Sequence, residues 1–248
     1  LLSTAYGVDP NRVDVIPHGV PDLPLVRSET VKPSLGLESR EVILSFGLLG
    51  PGKGYELAID ALPAVVAARP TALYVIVGAT HPNLLASEGE AYRERLVARV
   101  KSLGMIDHVR FVDRFVGRVE LTRWLEAADV FVTPYPNLDQ IVSGTLSYAM
   151  GAGRAVVSTP YAYASELLAE GRGVLVPPGS PASLAVALTD VLADDDLRAS
   201  IGRRAHAYSR RMVWSEVGKE YGRLFGRIGA RAPVAAMASP MAMARIDA

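Results

Sequence analysis

Cysteine is absent from the 248-residue chain. Its absence excludes disulfides and thiolate metal sites, and it fits a reducing compartment, so we expect a cytoplasmic protein. There is no excess of charge, because 26 basic residues balance 26 acidic ones. Without a broad basic field, nucleic acid is a poor candidate partner.

Long apolar runs are also missing. Stretches such as Val42 to Gly50 fall far short of the roughly 20 residues that cross a bilayer, so we expect no transmembrane segment. The chain has no basic stretch followed by an apolar core, so we expect no signal peptide. The chain opens on Leu1 and not on Met, which suggests a fragment or a processed chain.

The chain instead contains a regular alternation of short apolar runs and amphipathic stretches. The apolar runs, each predicted as a strand, cover 41–47, 72–78, 108–112, 129–133, 155–159 and 173–177. Helical spacing covers 53–68, 88–103, 118–128, 143–151, 163–169, 182–193, 195–208 and 213–227. Apolar strands that alternate with amphipathic helices predict a parallel sheet covered on both faces. The predicted fold is α/β, a doubly wound, Rossmann-like sheet of about six strands.

We predict one domain over residues 1–228. Within it, residues 1–40 form a crossover segment, in which Val13–Pro17 is a strand candidate and His18 begins a turn. Residues 229–248 are rich in Ala, Met, Pro and Arg and lack an amphipathic stripe, so we predict a disordered tail.

The loop after the first predicted strand is a candidate phosphate site, because an open parallel sheet binds ligands beyond the carboxyl ends of its strands. It contains Gly47, Gly50 and Gly52, followed by Lys53. Glycine lets the backbone approach a ligand, and the next helix offers free N–H groups and a positive dipole end. With the Lys53 cation these features suit a diphosphate, although a plain strand-to-helix turn has the same composition. The spacing matches neither the P-loop nor G-x-G-x-x-G.

The start of the helix predicted over 143–151 is a second candidate. Ser143 or Thr145 can cap this helix, and Gly144 keeps its N-terminus open, so we expect an anion beside these residues and Leu146. A helix end contributes roughly 0.3–2 kcal/mol to holding an anion. Two helix ends and Lys53 can therefore hold a diphosphate without a metal. Ordinary N-capping is the alternative.

Three further residues are candidates on weaker grounds. Glu166, after the fifth strand, can accept hydrogen bonds from sugar hydroxyls or support the first turn of a helix. His81, after the second strand, and His18 can contact a ligand or be ordinary loop residues. The run that starts at Asp194 is similar to a metal-binding D-x-D, but its place before a helix favours capping.

In chain order, these segments resemble the C-terminal, donor-binding domain of GT-B-fold, family-4-like (group 1) glycosyltransferases. The resemblance runs from about Leu1 to Phe225. It is carried by Val15-Ile16-Pro17-His18-Gly19-Val20, Phe46-Gly47 through Lys53-Gly54, Ala128-Asp129 through Pro134, Ser147-Tyr148-Ala149-Met150-Gly151-Ala152-Gly153 and Gly171-Arg172-Gly173-Val174-Leu175-Val176-Pro177-Pro178.

The resemblance implies transfer of a sugar from a nucleotide-sugar, such as a UDP- or GDP-sugar, with retention and without a metal or cofactor. Lys53 would be the catalytic residue, stabilising the leaving diphosphate electrostatically. The acceptor-binding N-terminal half of such an enzyme is missing from this chain, and it would mediate any peripheral membrane contact. The alternatives are a non-catalytic nucleotide-sugar-binding module and another GT-B-like enzyme such as a sugar-nucleotide epimerase.

Three positions depart from the family pattern. Leu48 stands where the family usually has Arg, and Arg114 or Arg118 is a candidate replacement cation. Gln140 and Tyr148 stand where the family has two Glu residues. Gln140 can still hydrogen-bond a sugar hydroxyl, and Tyr148 offers one hydroxyl in place of two carboxylate oxygens.

Overall fold

The computed structural model describes residues 2–231, and the chain divides into two compact units. Among the described residues, the sheet unit comprises residues 18–214, and the terminal unit comprises residues 2–17 and 215–231. None of residues 2–17 is buried, and a segment without buried side chains adds little to a hydrophobic core.

The described residues contain six strands and ten α-helices. The strands are β1 (Glu41–Phe46), β2 (Ala72–Val77), β3 (Val109–Val112), β4 (Val130–Thr133), β5 (Ala155–Ser158) and β6 (Val174–Leu175). The helices are α1 (Leu2–Tyr6), α2 (Tyr55–Ala68), α3 (Pro82–Glu88), α4 (Ala91–Ser102), α5 (Arg118–Ala127), α6 (Gly144–Gly151), α7 (Ala162–Leu167), α8 (Pro181–Ala193), α9 (Asp195–Ser209) and α10 (Trp214–Arg231).

The strands form one parallel sheet in the order β3-β2-β1-β4-β5-β6. The order reverses between β1 and β4, where Ile43 pairs with Val130 and Leu44 with Phe131. A sheet that grows outward from a central strand in both directions is doubly wound. The predicted Rossmann-like, six-stranded sheet is confirmed.

Alternate strand residues build two cores, one on each face of the sheet. Ile43 and Tyr74 pack with residues of α2, α4 and α8. Leu44, Val75 and Phe131 pack with residues of α5, α6 and α7 on the other face. Burial of each such apolar side chain contributes about 1.5–3 kcal/mol. Because both faces are covered, the strands are apolar throughout, as predicted.

Two local predictions are wrong. Val13–Pro17 forms no strand: Val15 is 88% exposed, so the segment has no buried face that would favour pairing. A β-bridge instead joins Val20 to Val213. The stretch predicted as one helix over 88–103 holds the end of α3 and all of α4, which Gly89 separates with a φ of +64°.

In the terminal unit, the side chain of Arg227 on α10 forms an ion pair with Asp14. The helix continues to Arg231, into the stretch predicted as a tail. Residues 232–248 of that predicted tail lie outside the described residues. Between residues 2 and 231, no helix is both long and apolar enough to span a membrane.

A buried ion pair lies at the amino edge of the sheet. Asp129 lies just before β4. The Nζ of Lys32 lies 2.9 Å from Oδ1 and 2.7 Å from Oδ2 of its carboxylate. Asp129 also accepts hydrogen bonds from the Ser28 hydroxyl at 2.5 Å and the Val42 N–H at 2.6 Å. These four groups tie the segment before β1 to β1 and β4.

Candidate functional site

The loops after β1 and β4 meet at the carboxyl edge of the sheet. The two strands are neighbours, and the strand order reverses between them. Such a reversal opens a crevice, because the connections on its two sides leave in opposite directions. This edge therefore holds both predicted anion sites, the loop 47–54 after β1 and the start of α6, which the loop after β4 reaches.

Two glycines bring these loops into contact. Gly54 has a φ of +68°, and a Cβ there would lie 2.0 Å from the carbonyl oxygen of Pro134. Gly47 has a φ of +134°, and its Cβ would lie 3.5 Å from Cγ2 of Thr145. Both positions need glycine for their backbone conformation, and Gly54 needs it for space as well.

Gly54→Ala should lower the free energy of unfolding by about 2 kcal/mol, because alanine is strained in this conformation and its methyl group would meet Pro134. Urea denaturation measures the change. Gly52→Ala is the matched control: a Cβ at Gly52 meets nothing within 4 Å, so we expect a change within about 0.5 kcal/mol. An equal loss in both variants would contradict the close packing at Gly54.

A chain of contacts joins Lys53 to the start of α6. Its Nζ lies 4.7 Å from the ring centroid of Tyr135, which is a cation–π distance. The Tyr135 hydroxyl lies 2.9 Å from Oγ1 of Thr145, and that atom lies 3.1 Å from Oγ of Ser143. Lys53 and Ser143 therefore lie on the same side of the molecule, although the sequence separates them widely.

The N-terminus of α6 is capped by Ser143, whose Oγ accepts the N–H of Leu146 at 3.3 Å. Next to it, a Cβ on Gly144 would lie 2.8 Å from Nε2 of His18. The other ring nitrogen of His18, Nδ1, lies 2.8 Å from the carbonyl oxygen of Gly19 and donates to it. Nε2 is thus the nitrogen of His18 that lies at the helix start.

Buried hydroxyl groups join the ends of β4 and β5 behind the crevice. Thr133 donates to Ser158 at 2.9 Å, and Tyr161 donates to Thr133 at 3.3 Å. The ring of Tyr161 stacks on Tyr135 with centroids 5.0 Å apart. Burial raises the pKa of Tyr161 to about 12, so its phenol is neutral near pH 7 and remains a donor.

His81 lies beside the first loop, as its place after β2 predicts. Its N–H donates to the carbonyl of Leu49 at 2.9 Å, and its Nδ1 accepts the N–H of Asn83 at 3.2 Å, which caps α3. Gly50, in the same loop, lies where a Cβ would be 3.4 Å from Leu84. The side chain of His81 therefore has a capping role whether or not a ligand is bound.

The buried Arg93 clamps the loop that follows β2. Its Nη2 donates to the carbonyl of Gly78 at 3.2 Å and to Thr80 at 3.3 Å. It also forms ion pairs with Glu90 and Asp113. The backbone after β2 contacts the loop after β1, where Leu49 and Thr80 form a β-bridge. The contacts of Arg93 therefore stabilise the backbone that packs against the candidate site.

Arg114, a candidate replacement for the family's Arg at position 48, is paired with an acidic residue. It forms a bidentate ion pair with Glu120, with Nη1–Oε2 at 2.8 Å and Nη2–Oε1 at 2.5 Å. The hydrogen bonds that Arg114 donates to Glu120 raise the pKa of Arg114. This pairing argues against Arg114 as the cation that replaces the family's Arg at position 48.

The three candidates for sugar contact have different surroundings. Glu166 lies in the last turn of α7 with an exposed side chain, so the first-turn role considered for it is wrong. Gln140 is half-buried, and its Nε2 donates to the carbonyl of Val142 at 2.8 Å. Tyr148 lies one turn into α6, with its ring centroid 6.0 Å from that of His18.

Tyr135 is a residue of the site that the sequence pattern did not single out. The run Pro134-Tyr135-Pro136 directly after a strand marks the ligand edge, but it does not reveal that Tyr135 reaches both Lys53 and Thr145. Asp194 caps α9 by accepting the N–H of Leu197 at 2.8 Å, which confirms the capping interpretation. Among residues 2–231, no group of three or more His, Cys, Asp or Glu could hold a metal.

An open, doubly wound parallel sheet with its crevice outside β1 and β4 defines a Rossmann-type α/β protein. More specifically, the chain belongs to the family described as glycosyl transferases group 1, which matches residues 27–208. The family resemblance stated from the sequence is thereby confirmed.

Two relatives illustrate the family membership. The chain is 31% identical over 230 residues to D-inositol 3-phosphate glycosyltransferase of Kineococcus radiotolerans, covering 86% of this chain and 51% of that protein. It is 33% identical over 175 residues to phosphatidyl-myo-inositol mannosyltransferase of Mycobacterium tuberculosis, covering 68% and 42%. The chain spans about half the length of the curated relatives it matches.

The fold is also similar to solved structures. One is Anabaena HepE in complex with UDP, with a TM-score of 0.76, 21% identity, and coverage of 90% of this chain and 59% of that one. Another is sucrose-phosphate synthase from Thermosynechococcus elongatus, with a TM-score of 0.74, 23% identity, and coverage of 88% and 53%. At these identities the likeness shows the fold, one half of a GT-B architecture.

Proposed function

We propose that this chain is the donor-binding half of a glycosyltransferase that uses a nucleotide-sugar, a UDP- or GDP-sugar, with retention and without a metal or cofactor. The observation that supports this most directly is the convergence of Lys53, Thr145 and the α6 N-terminus at the strand-order reversal. A UDP complex of a protein with the same fold adds support.

The diphosphate would lie between the loop after β1 and the start of α6. The positive end of α6 and the Lys53 ammonium would both face it, so the negative charge that develops on the leaving nucleoside diphosphate would meet fixed positive charge. Gly47, Gly50 and Gly52 would let the backbone approach the phosphates. In this arrangement Lys53 acts as a catalytic residue by electrostatic stabilisation.

The sugar would lie farther along α6. We assign Gln140, Tyr148 and Glu166 to its hydroxyl groups, and His18 to the region between sugar and phosphate, because Nε2 of His18 lies at the helix start. An acceptor would be bound by a further domain, in keeping with relatives about twice as long. We propose that the protein works in the cytoplasm, because nucleotide-sugars are substrates there and a chain without cysteine fits a reducing compartment.

Isothermal titration calorimetry with UDP, GDP and ADP tests the proposal. We expect at least one of them to bind with a Kd below about 1 mM, which corresponds to about −4 kcal/mol. The matching nucleoside without phosphates is the control, and it should bind at least about tenfold more weakly if the phosphates supply more than 1.4 kcal/mol. Absence of binding by all three diphosphates at millimolar concentration would overturn the assignment.

A non-catalytic nucleotide-sugar-binding module is the second candidate, and the uncharged Gln140 and Tyr148 favour it. Such a module would bind a nucleotide-sugar and leave it intact. Release of nucleoside diphosphate from a nucleotide-sugar by the full-length protein, in the presence of its acceptor, would exclude this alternative.

A further inference from the structure

Tyr135 contacts both halves of the candidate site. Its ring lies 4.7 Å from Nζ of Lys53, and its hydroxyl lies 2.9 Å from Oγ1 of Thr145. Lys53 precedes α2 and Thr145 lies in the first turn of α6. One side chain thus links the two elements that would have to act on the same anion.

The ring of Tyr135 is itself held in place. It is only 3% exposed, and it stacks on Tyr161 with an angle of 15° between the ring planes. Its carbonyl accepts a hydrogen bond from the Thr159 hydroxyl at 2.6 Å. A buried, stacked and hydrogen-bonded ring is a rigid platform for a flexible neighbour.

Lys53 is such a neighbour. Its stem has four carbons and many rotamers, and ordering it lowers its conformational entropy. Within the described residues Lys53 forms no salt bridge, so its charge is not neutralised by a carboxylate. A cation over a fixed ring is restrained but keeps its charge available to a ligand.

We propose that Tyr135 is a positioning residue: its ring places the Lys53 ammonium and its hydroxyl places Thr145, so that both meet the same diphosphate. This inference rests on the proposed function, since it assigns a geometry to the same site. This role explains why one buried tyrosine contacts both Lys53 and the start of α6.

A double-mutant cycle tests the link to Lys53. Tyr135→Leu, Lys53→Met and the double variant are titrated with UDP and with inorganic pyrophosphate. We expect Tyr135→Leu to weaken binding about tenfold when Lys53 is present, because both the ring and the hydroxyl are lost, and only about two- to threefold in the Lys53→Met background, where loss of the hydroxyl alone still counts. A purely structural role for the ring would weaken binding by the same factor in both backgrounds, and that result would overturn the proposal.

Tyr135→Phe tests the hydroxyl apart from the ring, and it is less disruptive to folding than Tyr135→Leu. It keeps the buried, stacked ring and so should fold and retain the effect of Lys53. Because it loses the bond to Thr145, it should weaken binding about two- to threefold, by the same factor with and without Lys53. A Phe variant that behaves like the Leu variant in the cycle would contradict the assignment of Lys53 to the ring.

Lysine NMR gives a readout that needs no ligand. The chain has four lysines, and reductive ¹³C-methylation keeps their charge. The Lys53 signal, identified by its loss in Lys53→Met, should be shifted upfield by the ring, should stay shifted in Tyr135→Phe and should move to the position of an exposed lysine in Tyr135→Leu. An unshifted signal in the wild-type chain would overturn the proposal.

These readouts separate the two levels of inference. If the wild-type chain binds neither UDP, GDP nor ADP, the proposed function fails and the positioning role fails with it. If it binds one of them but the cycle is additive, only the positioning role of Tyr135 fails.

Discussion

Lys53→Met should weaken binding of the nucleoside diphosphate to this chain by about 30-fold, since a hydrogen bond to a charged group contributes about 2 kcal/mol. Methionine keeps most of the stem, so the ring contact with Tyr135 loses its charge and little of its packing. The same change should remove most of the salt dependence of binding, because screening acts on the charge that was deleted. Titration calorimetry at two salt concentrations measures both effects.

Lys101→Met is the matched control. Lys101 is exposed near the end of α4, a helix that runs back toward the amino edge of the sheet, away from the crevice. The variant loses the same charge from the chain, so it corrects for any effect of net charge. Equal affinities for the Lys53 variant and the wild type would place the bound phosphates away from Lys53.

Asp129→Ala should lower the free energy of unfolding by about 3–5 kcal/mol. The variant leaves the buried ammonium of Lys32 without a counter-charge, and it also removes the acceptor of the Val42 N–H and the Ser28 hydroxyl. An unpaired buried charge is costly because it has lost its hydration without gaining a partner. Urea denaturation, with the slope of the transition checked for constancy, measures the loss.

The exposed pair between Glu88 and Arg95, at 3.0 Å, provides the control. Glu88→Ala removes a carboxylate from an ion pair in the same way, but water solvates the remaining cation, so we expect a loss below about 1 kcal/mol. In a Lys32→Met background, Asp129→Ala should be less harmful than in the wild type. Similar losses for Asp129→Ala and Glu88→Ala would contradict the buried character of the first pair.

The charges at the candidate site suit an anionic ligand, as the proposed function requires. Lys53 and the α6 N-terminus supply positive potential, while Gln140 and Tyr148 are uncharged where the family has carboxylates. The nearest hydroxyl groups, on Ser143, Thr145 and Tyr135, are already hydrogen-bonded to one another. A diphosphate would therefore meet a site organised before it binds, which reduces the reorganisation that binding requires.

The local pattern of the sequence was sufficient for most of the sheet. Apolar runs that end in Gly or Pro became strands because both faces of a parallel sheet are buried, and Ser143 was recognisable as a cap from its place before a helical pattern. Val13–Pro17 had the same local appearance as a strand, but strand formation needs a pairing partner and a buried face. Arg114 was a candidate cation for the site, and its ion pair with Glu120 depends on the conformation of the short segment between them, which the sequence pattern does not specify.

The sequence by itself determined the α/β class and the parallel sheet, and it predicted a candidate site at the carboxyl edge of that sheet, because these depend on periodicity and on residues that adjoin each strand. Only the tertiary structure decided which residues share the crevice. Lys53 and Tyr135 are far apart in the chain, and they meet because β1 and β4 are adjacent at the reversal of strand order. Such contacts depend on strand order and on the direction of each side chain, and neither is encoded in any local stretch of residues.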